Sequence, residues 1–162
     1  MPIKIGVISD THLKKPTPLL EKAVEGHFHD VDIIIHAGDV VSPEVLEIFR
    51  GKTLYVVSGN RDNAQIKRRY PETHTLEIQG FRIGLVHGWG PPFGIQKRVL
   101  RCFHDVHCIV FGHSHIPLIK ESGGVVLFNP GAFCGGVLSL WRRTIGIIML
   151  NEGIHPEIRR VR

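Results

Sequence analysis

Five hydrophobic segments of this chain each end at a side chain that can bind a divalent metal ion. Asp10 directly follows the first segment, and His12 stands two positions further on. The complete set of segment-end donors is Asp10, His12, Asp39, Asn60, His87, His113 and His115. Carboxylate oxygen, amide oxygen and imidazole nitrogen suit zinc, manganese, iron, nickel or cobalt rather than a metal that prefers thiolates. The residue types therefore predict a metal site.

The pattern of apolar residues indicates the strands that would hold these donors. Buried, β-branched segments that alternate with helical patterns are typical of parallel pairing with right-handed crossovers. Strands are predicted at residues 3–8, 31–37, 53–57, 73–78, 81–86, 106–111, 116–120, 125–128, 144–150 and 155–161. The carboxyl ends of parallel strands face one crevice, where ligands bind. We therefore expect the seven donors to converge.

Helical spacing and turn residues complete the predicted elements. Helices are expected at residues 16–28, from Ser42 onward, at 62–70 and at 93–103, with Ser42 as an N-cap and Pro43 in the first turn. Gln79-Gly80 and the segment 121–124 predict hairpins, and 151–153 joins two closing antiparallel strands. These elements predict an α/β (α+β) fold in which two sheets pack together with helices outside.

The composition is that of one soluble globular domain. The 162 residues are 43% hydrophobic and 22% charged, so a single domain over residues 1–162 is expected. Three cysteines without CxxC spacing favour a reducing compartment, and neither a signal peptide nor a membrane-spanning segment is predicted. We therefore expect a cytoplasmic protein without a membrane partner. The net charge of +5 suits an anionic substrate, but the basic residues are dispersed, which disfavours nucleic acid as the main partner.

The donors also suit a pair of ions. Asp39 follows Gly38, where the chain can turn sharply, and its two oxygens could bridge two metals. The two imidazoles of the Gly112-His113-Ser114-His115 loop could reach different ions. Two metals about 3.5–4 Å apart form the usual clamp for phosphoryl transfer.

These motifs, in this order, resemble those of the calcineurin-like metallophosphoesterases, and most closely the compact bacterial and archaeal phosphodiesterases. The resemblance spans 10–115 and includes the turn 129–131. It implies a four-layer sandwich of two mixed β-sheets flanked by helices, with two divalent ions (Mn, Ni, Zn or Fe) as cofactors. It further implies one ion held by Asp10, His12 and His115, another held by Asn60, His87 and His113, and Asp39 as the bridge.

The chain departs from the family pattern at Arg61. Many members have histidine there, and that histidine is the usual candidate for protonating the leaving alkoxide. Arginine cannot act as a general acid near neutral pH, although it can bind a phosphate oxygen and stabilise negative charge. The expected catalytic residues are Asn60, Arg61 and Asp62, with a preference for phosphodiesters over unactivated monoesters. Asp62 has two open roles, to orient Arg61 or to cap the following helix.

Several other polar residues have a structural and a functional interpretation. His36 is interpreted as a buried, hydrogen-bonded histidine, with orientation of a metal ligand as the alternative. Trp89 and Phe93 either line a substrate pocket or pack in the protein. The spacing of Cys102, His104, His107 and Cys108 does not match a zinc site. Cys134 is interpreted as a small buried residue, with a reactive thiol as the alternative if the side chain is exposed.

The sequence predicts a phosphodiesterase that hydrolyses a P–O ester bond of a small phosphodiester or nucleotide-like substrate with a hydroxide bound between two metal ions. One alternative is a non-catalytic interaction protein on the same fold, as in the retromer subunit that resembles this family. That subunit has lost several histidine ligands, whereas His12, His87, His113 and His115 are all present here. A phosphomonoesterase or a nuclease is a further alternative, and a homo-oligomer is compatible with the sequence.

Overall fold

A computed structural model describes all 162 residues of the chain. Its ten strands are β1 (Ile3–Ile8), β2 (Ile33–His36), β3 (Thr53–Val56), β4 (Thr73–Ile78), β5 (Phe81–Val86), β6 (Cys108–Val110), β7 (Leu118–Ser122), β8 (Val125–Asn129), β9 (Arg143–Leu150) and β10 (Ile154–Val161). They form two five-stranded sheets, in the orders β10-β9-β1-β2-β3 and β4-β5-β6-β8-β7.

Each sheet has a parallel centre with antiparallel strands beside it. In the first sheet, β1, β2 and β3 are parallel, and β9 and β10 complete the sheet with antiparallel pairs. In the second sheet, β5, β6 and β8 are parallel, and β4 and β7 form the antiparallel edges. Both sheets are therefore mixed, as predicted.

The helices are shorter than the sequence pattern predicts. They are α1 (Pro18–His27), α2 (Ala64–Arg69), α3 (Ile95–Leu100) and two 3₁₀ segments, Pro43–Phe49 and Val137–Ser139. Ser42 stands at the N-cap position of the first 3₁₀ segment, as predicted, but its side chain makes no capping hydrogen bond. The Val45 N–H, which that hydroxyl would have bound, instead donates to the main-chain oxygen of Ser42 at 3.2 Å and closes a 3₁₀ turn.

Alternation along the strands divides the apolar side chains between two sides of the first sheet. Ile34 packs in a cluster with α1 and the 3₁₀ segment, whereas its neighbour Ile35 packs against the second sheet. On the far side of the second sheet, Ile109 packs against Ile95 and Val99 of α3. The molecule is thus a four-layer sandwich of helices, sheet, sheet and helix, which confirms the expected fold.

The sandwich has two different ends. At the site end, the chain leaves the carboxyl ends of β1, β2, β3, β5 and β6 into the donor-bearing loops. At the hairpin end, tight turns at 79–80, 123–124 and 151–153 connect antiparallel strands. No helix of the structure is both long enough and apolar enough to cross a membrane.

Candidate metal centre

The structure brings all seven predicted donors together at the site end. Asp10 and Asp39 lie at the centre, and each has an oxygen within 4 Å of the Nε2 atoms of both His12 and His87. His115 contacts Asp10, and Asn60 connects His87 to His113. Every donor therefore has at least one other donor as a neighbour, as the strand-end pattern predicts.

The first donor group consists of Asp10, His12 and His115. The Oδ2 atom of fully buried Asp10 accepts hydrogen bonds from the Ser9 hydroxyl at 2.6 Å and the His113 backbone N–H at 3.1 Å. Its Oδ1 atom has no hydrogen-bond partner, although His115 Nε2 lies 3.2 Å away. The buried Nε2 atom of His12 has no partner either.

Charge in this group favours an ionised carboxylate. Burial raises the pKa of Asp10, but the neighbouring imidazoles of His115, His12 and His87 outweigh burial and hold it well below its usual range. Reciprocally, Asp10 raises the pKa of His115. A buried negative charge next to unpartnered acceptors is costly unless a cation or proton compensates it.

The second donor group consists of Asn60, His87 and His113, and main-chain oxygens set the tautomers of its rings. His87 Nδ1 donates to the oxygen of Ala37 at 2.7 Å, and His113 Nε2 donates to that of Gly90 at 2.9 Å. The opposite ring nitrogens lie 3.2 and 3.0 Å from Asn60 Oδ1. Once a metal ion displaces the extra proton of His87, both nitrogens are acceptors and, with the amide oxygen, offer three lone pairs to one cation.

Asp39 lies between the two groups. Its Oδ2 atom is 3.5 Å from His12 Nε2 and 3.4 Å from His87 Nε2, while Oδ1 accepts a hydrogen bond from the Arg61 backbone N–H at 2.8 Å. Burial raises the pKa of Asp39, but the contact with His87 outweighs burial and lowers the pKa below its usual value, so the carboxylate is ionised. Burial lowers the pKa of His87, yet Asp39 and Asp10 overcome this and raise it to about 9.

The backbone that carries these donors is strained. Ten non-glycine residues have positive φ angles, and five of them are donors: Asp10, His12, Asp39, His113 and His115. Such conformations cost of order 1–3 kcal/mol each and persist where the surrounding structure imposes them. Half of the chain's strained non-glycine backbone therefore serves to aim side chains into one cluster.

Asp62 has neither of the two roles expected for it. Asn63, rather than Asp62, caps α2 by accepting a hydrogen bond from the Ile66 N–H at 2.9 Å. The buried Asp62 carboxylate instead accepts from the backbone N–H groups of Asp39, Val41 and Gly59, at 3.1, 2.6 and 2.7 Å. It joins the loop that carries Asp39 to the loop that carries Asn60. The long-range loop contact is invisible in the sequence.

Three further residues that sequence analysis did not assign to the site also hold its loops. Ser9 binds the Asp10 carboxylate, and its only sequence signal is its place just before that residue. The Asn129 amide donates to the oxygen of Gly112 at 2.9 Å and to Ser114 Oγ at 3.1 Å, which fixes the loop between His113 and His115. Thr11 contacts His36 Nε2 at 3.2 Å.

His36 is the buried structural histidine that the sequence analysis expected. Its Nδ1 atom accepts a hydrogen bond from the Gly38 N–H at 3.2 Å, so the proton of the neutral ring is on Nε2 and faces Thr11. Burial lowers the pKa of His36 to about 3, which keeps the ring neutral. The ring therefore supports the turn that leads to Asp39.

Arg61, Trp89 and Phe93 differ in how exposed they are and in whether they line a cavity beside the donors. The guanidinium of Arg61 is exposed, and no protein group accepts a hydrogen bond from it. Trp89 lines a cavity of about 300 Å³ together with Asn60, His87 and Lys67. Phe93 is 85% exposed and does not line this cavity.

The cysteines divide into two regions. Cys102, His104, His107 and Cys108 form no cluster of converging ligand atoms, as their spacing predicts. Cys134 is half-buried rather than fully buried, and its sulfur lies beside His12 and His115. Burial raises the pKa of its thiol to about 11.

The donor cluster fits divalent metal ions. Of the three buried side-chain atoms without hydrogen-bond partners, two, Asp10 Oδ1 and His12 Nε2, belong to the same donor group, and the third is Thr144 Oγ1. The mixed carboxylate, imidazole and amide set suits several divalent metals of intermediate softness. Because His87 and His115 have raised pKa values, ion binding would displace protons from these rings.

Comparison with known proteins identifies relatives of the whole fold. The sequence model of the calcineurin-like phosphoesterase superfamily domain matches residues 3–152. A protein named probable metallophosphoesterase from Methanothermobacter thermautotrophicus is 39% identical over 79% of this chain and 76% of its own length. A protein named phosphodiesterase from Methanocaldococcus jannaschii is 28% identical over 96% of this chain and 98% of its own length.

Solved structures show the same architecture. A structure described as a novel archaeal phosphodiesterase has a TM-score of 0.79 and 25% identity, covering 98% of this chain and 99% of the other. Vacuolar protein sorting 29 from Cryptosporidium parvum has a TM-score of 0.75 and 22% identity, covering 98% of this chain and 97% of the other. At that identity, the second likeness shows the fold alone.

Proposed function

The chain belongs to the calcineurin-like phosphoesterase superfamily, and we propose that it is a phosphodiesterase that uses two divalent ions. The observation that carries the proposal is the division of seven donors into two groups of three on either side of Asp39. Asp10, His12 and His115 would hold one ion, and Asn60, His87 and His113 the other. Asp39, next to both groups, would be the shared ligand. Its placement between the groups supports two ions rather than one.

Two metal ions bound there would polarise the phosphate and lower the pKa of a bound water, which would supply a nucleophile at neutral pH. The protein would position the ester with groups that it leaves unoccupied. The Nδ2 atom of Asn60 donates no hydrogen bond within the protein, and this residue is exposed, so the amide can donate to a phosphate oxygen. This geometry allows Asn60 to serve both as a ligand and as a substrate contact.

Arg61 would contribute positive charge. Its backbone N–H holds Asp39 while its guanidinium remains free, so the side chain is tethered beside the site and available to bind phosphate. Because arginine keeps its proton at neutral pH, it can stabilise charge on the phosphate but cannot protonate a poor leaving group. This favours phosphodiesters and esters with good leaving groups over unactivated monoesters.

Space on both sides of the donors also favours a diester. One cavity of about 300 Å³ extends from Asn60 and His87 toward Trp89 and Lys67. A second cavity of about 300 Å³ is lined by His12 of the other donor group. A phosphodiester carries two organic groups, and each cavity has room for one. The half-exposed Trp89 offers an aromatic face for a nucleotide-like substituent.

The test is hydrolysis of a chromogenic phosphodiester and the matching monoester with Mn, Ni, Zn, Fe or Mg added to metal-free protein. We expect metal-dependent turnover that favours the diester. In Arg61→His, the added imidazole should shift the ratio toward the monoester by at least about tenfold, a modest share of what general acid catalysis can contribute. Arg68→His, in the exposed α2 surface, is the matched control and should leave the ratio unchanged.

An unchanged ratio in Arg61→His would contradict the role given to Arg61. Absence of metal-dependent turnover on both esters would contradict the proposal that the protein is an enzyme. It would favour a second function, as a protein-interaction scaffold. The observation that favours this alternative is an exposed apolar segment near the site, in which Val137, Leu138, Leu140 and Trp141 are each at least 50% exposed.

A further inference from the structure

Cys134 lies at the first donor group but is not among the seven donors. Its Sγ atom and a ring nitrogen each from His12 and His115 all lie within 4.8 Å of one another. Ligands of one tetrahedral zinc ion are about 3.3–3.6 Å apart, given metal–ligand bonds of about 2.0–2.3 Å. Small side-chain rotations would therefore bring the sulfur and both imidazoles onto one ion.

The backbone fixes Cys134 in this position. The N–H of Phe133 donates to the oxygen of Ser9, and the N–H of Cys134 donates to the oxygen of Asp10, both at 3.0 Å. Phe133 is buried in the apolar cluster beneath, so the segment is anchored on two sides. The backbone of the loop that presents Asp10 thus also holds the segment that presents the thiol.

A second observation shows that this group lacks a partner. Asp10 is fully buried, and its Oδ1 atom, beside His115, makes no hydrogen bond. Cys134 itself has only a weak contact, at 3.1 Å, with the main-chain oxygen of the adjacent Gly135. Binding an ion would satisfy the carboxylate, and the thiol would lose only that local contact.

We propose that Cys134 supplies a thiolate ligand to the ion held by Asp10, His12 and His115. This inference rests on the proposed function, because it requires the first donor group to bind an ion. Coordination forms one sulfur–metal bond and releases the thiol proton to solvent. Thiolates favour zinc over manganese or magnesium, so the first group would be the softer of the two sites.

The experiment uses cobalt(II) as a spectroscopic probe, titrated into metal-free full-length protein. Cobalt bound by nitrogen and oxygen ligands gives visible d–d bands, and a bound thiolate adds an intense near-ultraviolet charge-transfer band. We expect both features in the unmodified protein. In Cys134→Ser, the charge-transfer band should disappear while the visible bands remain. Cys102→Ser, which removes a half-buried thiol elsewhere, is the matched control and should keep both features.

Metal competition provides the second readout. In Cys134→Ser, the preference for zinc over manganese should fall at least about tenfold, because a soft ligand is lost from one site. Visible bands without a charge-transfer band in the unmodified protein would overturn the role of Cys134 but leave the metal centre intact. Absence of bound cobalt, measured by elemental analysis, would overturn both this inference and the proposed function. Loss of the charge-transfer band in Cys102→Ser alone would also overturn the assignment to Cys134.

Discussion

The two ends of the sandwich differ in which residues adopt positive φ angles. At the hairpin end, Gly80, Gly123 and Gly124 have positive φ angles, and an added Cβ atom would meet nothing within 4 Å at any of them. Gln79 shares this conformation in one of the hairpin turns, whereas at the site end two aspartates and three histidines adopt it beside glycines such as Gly38 and Gly88. Glycine adopts such conformations at little steric cost, whereas the other residues need support from their surroundings.

Glycines at the site end serve a different purpose. Gly59 has an ordinary φ angle, but a Cβ atom there would collide with the carboxylate and backbone nitrogen of Asp39. One at Gly112 would collide with the Ser9 hydroxyl and approach Asp10 Oδ2. These glycines allow loops from different strands to pack closely enough for their donors to converge. The conformation of the hairpin end is therefore set by local turn residues, and that of the site end by contacts between distant loops.

The largest expected effect that separates the two ends is that of Gly59→Ala. The new methyl group would displace Asp39, at a cost of about 1–3 kcal/mol in unfolding free energy. Activity should fall by about 10²-fold or more, because small misplacements of reacting groups are costly. Gly26→Ala, an exposed helical site with open space, is the control and should stabilise α1 slightly. Normal turnover in Gly59→Ala would show that the close approach is dispensable.

The next effect in size is expected for Asp62→Asn. The amide would keep one acceptor oxygen for three backbone N–H groups and would turn its own N–H toward one of them. We expect a loss of about 1–3 kcal/mol in unfolding free energy. Metal affinity, measured by titration calorimetry, should weaken about 10–100-fold, as for other residues that orient ligands. Glu152→Gln, in an exposed turn at the hairpin end, should change neither quantity. An equal loss in both variants would remove the distinction between the ends.

The smallest effect is expected for Gln79→Asn at the hairpin end. Gln79 and Gly80 both have positive φ angles, of 51° and 79°, as in a type I′ turn, which favours Asn-Gly. Chemical denaturation should show a gain of a few tenths of a kcal/mol, up to about 1 kcal/mol, because asparagine tolerates this conformation better. Activity should not change. Reduced metal binding would show that the two ends are coupled.

The same contrast explains how far the sequence predicted the structure. The strands β1, β4 and β5 were predicted with the bounds that the structure has, because alternation and turn residues are local signals. The donors could be named because each follows a strand. The role of Asp62 could not be predicted, since its partners at Asp39 and Val41 are more than twenty positions away. The position of Cys134 also depends on long-range pairing, with Ser9 and Asp10.

The proposed function requires that Asp39 joins two metal ions. The most direct measurement is manganese stoichiometry by elemental analysis, combined with electron paramagnetic resonance of the loaded protein. We expect two manganese ions per chain with an exchange-coupled spectrum, and loss of that coupling in Asp39→Asn. A single ion per chain, or two ions without coupling in the unmodified protein, would contradict it.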